Sequence, residues 1–194
     1  MKITCVTVGP VATCCYLLSR EDASECIVID PGDEPERILR AAAGKHIAAI
    51  LLTHGHFDHI GAVSALAKDG TPILIHALDA DMLTDPKRNA SLALMRVPVS
   101  ACPATDLLRD GDRRTLAGLE IEVIHTPGHT PGSVCYRIGD HLFTGDTLFA
   151  DGWGRTDLPG GDEHALMASL RHVIPLARTM PFHPGHGDDQ VCVL

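Results

Sequence analysis

Residues 47–52 of this 194-residue chain read Ile-Ala-Ala-Ile-Leu-Leu, and they run directly into Thr53-His54-Gly55-His56-Phe57-Asp58-His59. An unbroken apolar run of strand length has no polar face to give to water, so it predicts a strand covered on both sides. Covering both faces takes a layer of helix or sheet above and another below, which excludes an open, one-layer arrangement. The strand also ends on four imidazole or carboxylate side chains within six positions. Loops at the C-terminal ends of such strands are where side chains from different elements converge. Gly55 between two histidines fits a backbone that turns tightly.

The rest of the chain is built around the same theme. Short apolar runs at 3–8, 15–18 and 26–29 predict three strands, the last closed by Asp30-Pro31-Gly32. Asp33, with Pro35 and Glu36 behind it, predicts a helix start and Gly44 its stop. Beyond the histidines the pattern predicts a helix over 61–68, a strand over 72–75 and a short helix over 77–83, and yields no regular element over 84–104. The second half predicts strands near 119–124, 133–138 and 141–144, a loop over 146–161, a helix over about 163–178 and a last strand near 180–182. Two halves of strands and helices point to a sandwich with helices outside, and the length fits one core, a single domain over 1–194.

A formal charge of −9 with scattered Lys and Arg disfavours a nucleic-acid phosphate backbone as partner. No apolar stretch is long enough to span a bilayer, and the N-terminus, Met1-Lys2-Ile3-Thr4-Cys5, lacks the apolar core of an export leader. Seven cysteines without Cys-x-x-Cys spacing predict reduced thiols in a cytoplasmic protein. The compositional outlier is histidine, with twelve residues, and imidazole is the commonest metal ligand in proteins.

Four potential ligands in one short loop can close on a metal at little entropic cost. A two-metal site needs more, and three further loops offer them at the ends of apolar runs: His125-Thr126-Pro127-Gly128-His129, Thr144-Gly145-Asp146 and His183-Pro184-Gly185-His186-Gly187. His46, His76, His141, His164 and His172 read as surface or satisfied core histidines. Cys14 and Cys15 are competing nucleophiles, but an apolar strand is a poor place to stabilise a thiolate.

In this order and spacing, THGHFDHIGA, TPGHTPGS, FTGDTLF and HPGHG resemble the metallo-β-lactamase superfamily over nearly the whole chain. The resemblance implies an α/β (α+β) fold, the four-layer αββα sandwich. It implies that His54, His56 and His129 hold one metal, that Asp58, His59 and His186 hold a second, and that Asp146 bridges them. Asp58 would also orient the nucleophile, and Asp30 would steady a ligand imidazole from behind. His125 and His183 match no ligand of the family and would be supporting groups.

The stretch GRTDLPGGD at 154–162 resembles the glyoxalase II-like branch, in its short form without an added helical domain. That implies hydrolysis of a small thioester such as S-lactoylglutathione by water shared between two zinc ions, with Arg155 binding a substrate carboxylate. An alternative for Arg155 is a structural pair with Asp157 or Asp162. Iron and manganese suit the same donors. Two other readings stand beside the thioesterase. One is a persulfide dioxygenase with a single iron on His54, His129 and Asp146; the other is a non-catalytic metal-binding protein. A β-lactamase proper is less expected, because Asp58 and Asp146 stand where many such enzymes place a cysteine. Where relatives often have Asn before the Cys-Tyr pair, this chain has Cys14.

Overall fold

The computed structural model describes residues 1–68, 70–187 and 192. Strands β1 (Lys2–Val8), β2 (Thr13–Ser19) and β3 (Glu25–Ile29) form an antiparallel start, and helix α1 (Pro35–Ala41) crosses over to β4 (His46–Leu51), which lies parallel to β3. The ligand-rich loop then folds into two short helices, α2 (Phe57–Ile60) and α3 (Val63–Leu66), before β5 (Ile73–His76). A 3₁₀ turn (Ala80–Leu83), α4 (Ser91–Leu94) and β6 (Asp106–Leu108) complete a six-stranded sheet in the order β1-β2-β3-β4-β5-β6. The second sheet, β11-β10-β9-β8-β7, is made from β7 (Arg113–Leu116), β8 (Leu119–His125), β9 (Val134–Ile138), β10 (His141–Gly145) and β11 (Phe182–Pro184), with α5 (Glu163–Ala177) between the last two.

Alternation along the strands builds the layers. Tyr16 and Leu18 of β2, Ile27 and Ile29 of β3 and Ala49 and Leu51 of β4 point into the sandwich, where they meet Ile121, Val123, Tyr136 and Phe143 of the other sheet. The intervening Cys15, Leu17, Val28 and Ile50 face outward and are covered by Ile38 of α1 and by Val63 and Leu66 of α3. On the far side, Leu166, Leu170 and Val173 of α5 pack over Cys135, Leu142 and Phe182. This is the four-layer αββα sandwich, and β4 is buried on both faces as its unbroken apolar run requires.

Several local expectations shift. The helix predicted over 61–68 begins earlier and splits in two, so Asp58 and His59 sit on a helical turn. Ile60, Val63 and Leu66 supply its buried face at spacings of three, and Gly61 lies against the Gly32 carbonyl, where a Cβ would fall 2.3 Å from that oxygen. Helix α1 takes Glu34 rather than Asp33 as its N-terminal boundary, in a left-handed conformation (φ 49°) with no side-chain cap. The predicted last strand lies two residues further on, paired in parallel with β10. Strands β6 and β7 carry too few apolar residues to be seen as periodic, and pairing alone makes them strands.

Candidate metal centre

The two sheets place their ligand loops along one rim. His54 follows β4, and His56 precedes α2, which carries Asp58 and His59. His129 follows β8, Asp146 follows β10 and His186 follows β11. These seven side chains converge. His54, His56 and His129 form one group, His54, His59 and Asp146 a second, and Asp58, His59 and His186 a third, each with its ligand atoms within 4.8 Å of one another.

The hydrogen bonds around this cluster determine which ring nitrogen faces inward. His129 Nδ1 donates to the Arg155 carbonyl at 2.7 Å, and His186 Nδ1 to the Val11 carbonyl at 3.2 Å. His59 Nδ1 lies 3.0 Å from Asp30 Oδ2. The Thr53 hydroxyl donates to the same Asp30 oxygen at 2.6 Å, which leaves its own oxygen to accept from His54 Nδ1 at 3.1 Å. In all four rings Nδ1 is turned outward, and Nε2 is the nitrogen turned to the common centre, the one a metal would take in place of a proton. The fifth, His56, is reversed: its Nδ1 lies 2.9 Å from His129 Nε2. A proton on His56 Nδ1 joins the two as a hydrogen bond, and a cation held between them would take its place. His54 Nε2 and Asp146 Oδ1 are buried with no hydrogen-bond partner among the described residues. Orphaned buried acceptors are costly, and a cation would satisfy them. The donor set of imidazole and carboxylate suits a divalent transition metal.

The electrostatics point the same way. Burial works against a charged His59, yet Asp146, Asp58 and Asp30 outweigh it and hold the ring up at about 9. Burial is likewise outweighed at His186, where bonds to Asp146 and Asp58 push it up to about 11. His54 and His56 are held down, first by burial and then by neighbouring imidazoles, His56 to about 3. The field of Asp58 and Asp146 thus draws positive charge to one end of the cluster, while neutral imidazoles remain at the other.

Sequence reasoning missed Asp79. It is fully buried; its Oδ1 accepts from Gly132 N at 2.7 Å, and its Oδ2 accepts from Thr130 Oγ1 at 2.6 Å and from Gly55 N at 3.2 Å. One carboxylate therefore ties the loop of His54 and His56 to the loop of His129. A lone Asp in Leu78-Asp79-Ala80-Asp81 carries no sequence signal, because its partners lie more than twenty residues away. Asn89 was missed too: its backbone carbonyl accepts from the distant Phe57 N, and its side-chain amide reaches the Met82 and Val99 carbonyls within a stretch that showed no regular pattern. The two tyrosines play a similar part, Tyr16 donating to the Pro184 carbonyl at 2.7 Å and Tyr136 to the Leu52 carbonyl at 2.6 Å. Gly55 is needed for close approach rather than for a turn, since a Cβ there would sit 2.5 Å from Met82 Cβ.

The remaining predicted residues divide. Asp30 lies behind His59 and Thr53, as described. Arg155 is exposed at the rim and grips Asp157 with two bonds of 2.6 and 2.7 Å, the structural pair, while its backbone carbonyl holds His129. His125 stacks on His76 and bonds the Pro131 carbonyl, and His183 stacks on Phe143 and meets His141. Neither joins the cluster. Cys5, Cys14, Cys15, Cys26, Cys102 and Cys135 are free thiols. Burial drives Cys15 well up, but Cys14 departs from expectation: a hydrogen bond with Cys5 brings it down to about 7. Its thiol is buried in the sandwich and lines no part of the cleft.

The cluster opens on a cleft of about 580 Å³, walled by Leu94, Met95, Phe149 and Leu158 with Arg155 at its edge. That is within the range of small-molecule sites. Among the described residues, no helix is long and apolar enough to cross a membrane.

Comparison with known proteins agrees with this geometry. A family model described as "Metallo-beta-lactamase superfamily" matches residues 8–186. The solved structure of BLEG-1 B3 metallo-β-lactamase superposes with a TM-score of 0.91 at 37% identity, covering 98% of this chain and 94% of that one. The structure of TTHA1623 in a di-iron-bound form superposes at 0.80 with 39% identity, covering 95% and 92%. Hydroxyacylglutathione hydrolase GloC of Haemophilus influenzae is 32% identical over 86% of this chain and 82% of its own.

Proposed function

The chain belongs to the metallo-β-lactamase superfamily, whose model matches residues 8–186, and from that premise we propose that it is a two-metal thioesterase acting on a small thiol ester such as S-lactoylglutathione. The observation that carries the reading is the set of seven donors. In four rings Nδ1 is engaged outward, the His56 ring is turned the other way, and two carboxylates complete the set, which supports a pair of ions. His54, His56 and His129 would hold one ion and Asp58, His59 and His186 the other, with Asp146 between them. Zinc is the metal proposed, and iron and manganese suit the same donors; the di-iron form of TTHA1623 supports two ions rather than their identity. When bound, such a pair lowers the pKa of a shared water towards neutrality and polarises the substrate carbonyl.

The chain's own residues supply the rest. Asp58 is ionised, because His59 and His186 outweigh its burial, and it faces the cleft. From there it accepts a hydrogen bond from the attacking water and orients it, while the Thr13 hydroxyl, 3.2 Å away, holds its Oδ2 in place. Asp30 keeps the His59 ring from turning. Arg155 offers the one guanidinium at the cleft edge to a carboxylate on the thiol half, exchanging Asp157 for substrate. Leu94, Met95, Phe149 and Leu158 surround the ester and limit the water near it. The match to GloC supports a thioester over other electrophiles.

A second reading, β-lactam hydrolysis, is favoured by the likeness to the BLEG-1 structure. A single-iron persulfide dioxygenase on His54, His129 and Asp146 leaves four converged donors without a role, and a non-catalytic binder leaves the open cleft without one. The test is elemental analysis of gently purified protein together with thiol release from S-lactoylglutathione. About two ions per chain with thiol release is expected. Turnover of a chromogenic cephalosporin without thiol release would transfer the assignment to β-lactams. One iron with oxygen uptake on a persulfide would transfer it to the dioxygenase.

A further inference from the structure

Beside the main cleft lies a second chamber of about 320 Å³, and Val11, Phe57, Asp58 and Met95 line both. The chamber's own apolar walls are Val8, Pro10, Val97 and Val99, which come from the end of β1, the turn after it and the segment after α4. Its charged groups are Asp33 and Asp58, and no Lys or Arg lines it. Arg155 lines the main cleft alone. Val11 and Val97 are 44% and 60% exposed, so apolar surface stands open to water beside the reacting centre. Such surface gains free energy only when an apolar group covers it.

A substrate with two halves meets two unlike chambers here. Away from the ion that Asp58 would hold, a carboxylate placed in the smaller one would face Asp33 and neither Lys nor Arg, at a desolvation cost no basic side chain of its lining offsets. The same carboxylate in the main cleft would find Arg155. We infer that the chamber formed by Val8, Pro10, Val11, Phe57, Met95, Val97 and Val99 takes the acyl half of the thioester, and that this acyl group is an apolar aliphatic or aryl chain. The thiol half, with any carboxylate it carries, then lies toward Arg155. A lactoyl group, small and hydroxylated, would leave most of those apolar walls wet. This assignment rests on the thioesterase reading and narrows it to a substrate class.

The test uses the full-length, metal-loaded protein and two matched series on one uncharged thiol, N-acetylcysteamine. The first is its acetyl, butanoyl and hexanoyl thioesters, read as kcat/KM. The second is its ethyl, butyl and hexyl thioethers, which cannot be hydrolysed and are read as Kd by calorimetry. Both constants should improve by up to about fourfold per added methylene until the chamber is full. Val97→Glu, at an exposed position where the fold tolerates charge, should lower the hexanoyl-to-acetyl ratio at least tenfold. Turnover with a flat or falling series would overturn the chamber assignment and leave the thioesterase standing. Chain-length-dependent thioether binding without turnover of any thioester would overturn the thioesterase and leave the apolar chamber. No turnover of any thioester together with a flat thioether series would overturn both.

Discussion

Asp79→Ala removes a side chain that touches no bound ion and should nevertheless damage both stability and metal binding. Truncation leaves the N–H groups of Gly55 and Gly132 buried without an acceptor; Thr130 Oγ1 keeps Ser133 Oγ at 2.7 Å. Two buried donors left unpaired at about 1–3 kcal/mol each give a gross cost of about 2–6 kcal/mol. Part of that is returned, because burial makes the Asp79 carboxylate costly to ionise and holds its pKa above the usual carboxylate range. The net expectation is about 2–4 kcal/mol, read as a lowered urea midpoint of the metal-free protein. Gly55 stands between His54 and His56, and Gly132 closes the loop of His129, so loosening both should also weaken metal affinity about 10- to 100-fold, measured by competition with a chelating dye. The control is Asp81→Ala, two residues away. Its side chain is 80% exposed and paired only with Arg88 at the surface, and its change should stay within about 0.5 kcal/mol. If Asp79→Ala lost less than about 1 kcal/mol and bound metal normally, the account of this residue as a tie between ligand loops would be refuted.

Asp30→Asn should weaken metal binding about 10- to 100-fold in the same competition, because the His59 ring loses the acceptor that fixes its tautomer; unchanged affinity would remove Asp30 from the site. His76 is kept neutral by burial and by the His125 ring stacked at 4.1 Å, which bring it down to about 4. The unfolded chain therefore binds more protons between about 4 and about 6.5, so this stability is complete above about 6.5 and is lost as the pH falls toward 4. His76→Gln should flatten that acid limb of urea midpoint against pH, and an unchanged slope would point to other groups. Arg155→Ala keeps the backbone carbonyl that holds His129, so metal content should be unaffected while KM rises several-fold for thioesters bearing a carboxylate on the thiol half and not for neutral ones. An equal effect on both would assign Arg155 to its pair with Asp157 alone.

The sequence by itself pointed to the layers and to the seven side chains that the fold brings together. The run at 47–52 was expected to be a strand covered on both faces, and it is one. His54, His56, Asp58, His59, His129, Asp146 and His186 each stand at the end of an apolar run, a local pattern that survives without knowledge of distant contacts. Local patterns failed where an element owes its existence to a partner. Strands β6 and β7 are strands because β5 and β8 offer free edges, and α2 starts at Phe57 because the backbone carbonyl of Asn89, far along the chain, accepts from its N–H. Only the tertiary structure decided that Asp79 joins two ligand loops, that Arg155 contributes its carbonyl as well as its guanidinium, and that a second apolar chamber opens beside the cluster. The physical reason is the same in each case. Apolar periodicity is set by the residue's own strand or helix, whereas a buried polar group takes its meaning from whichever distant donor or acceptor the fold brings within about 3 Å of it.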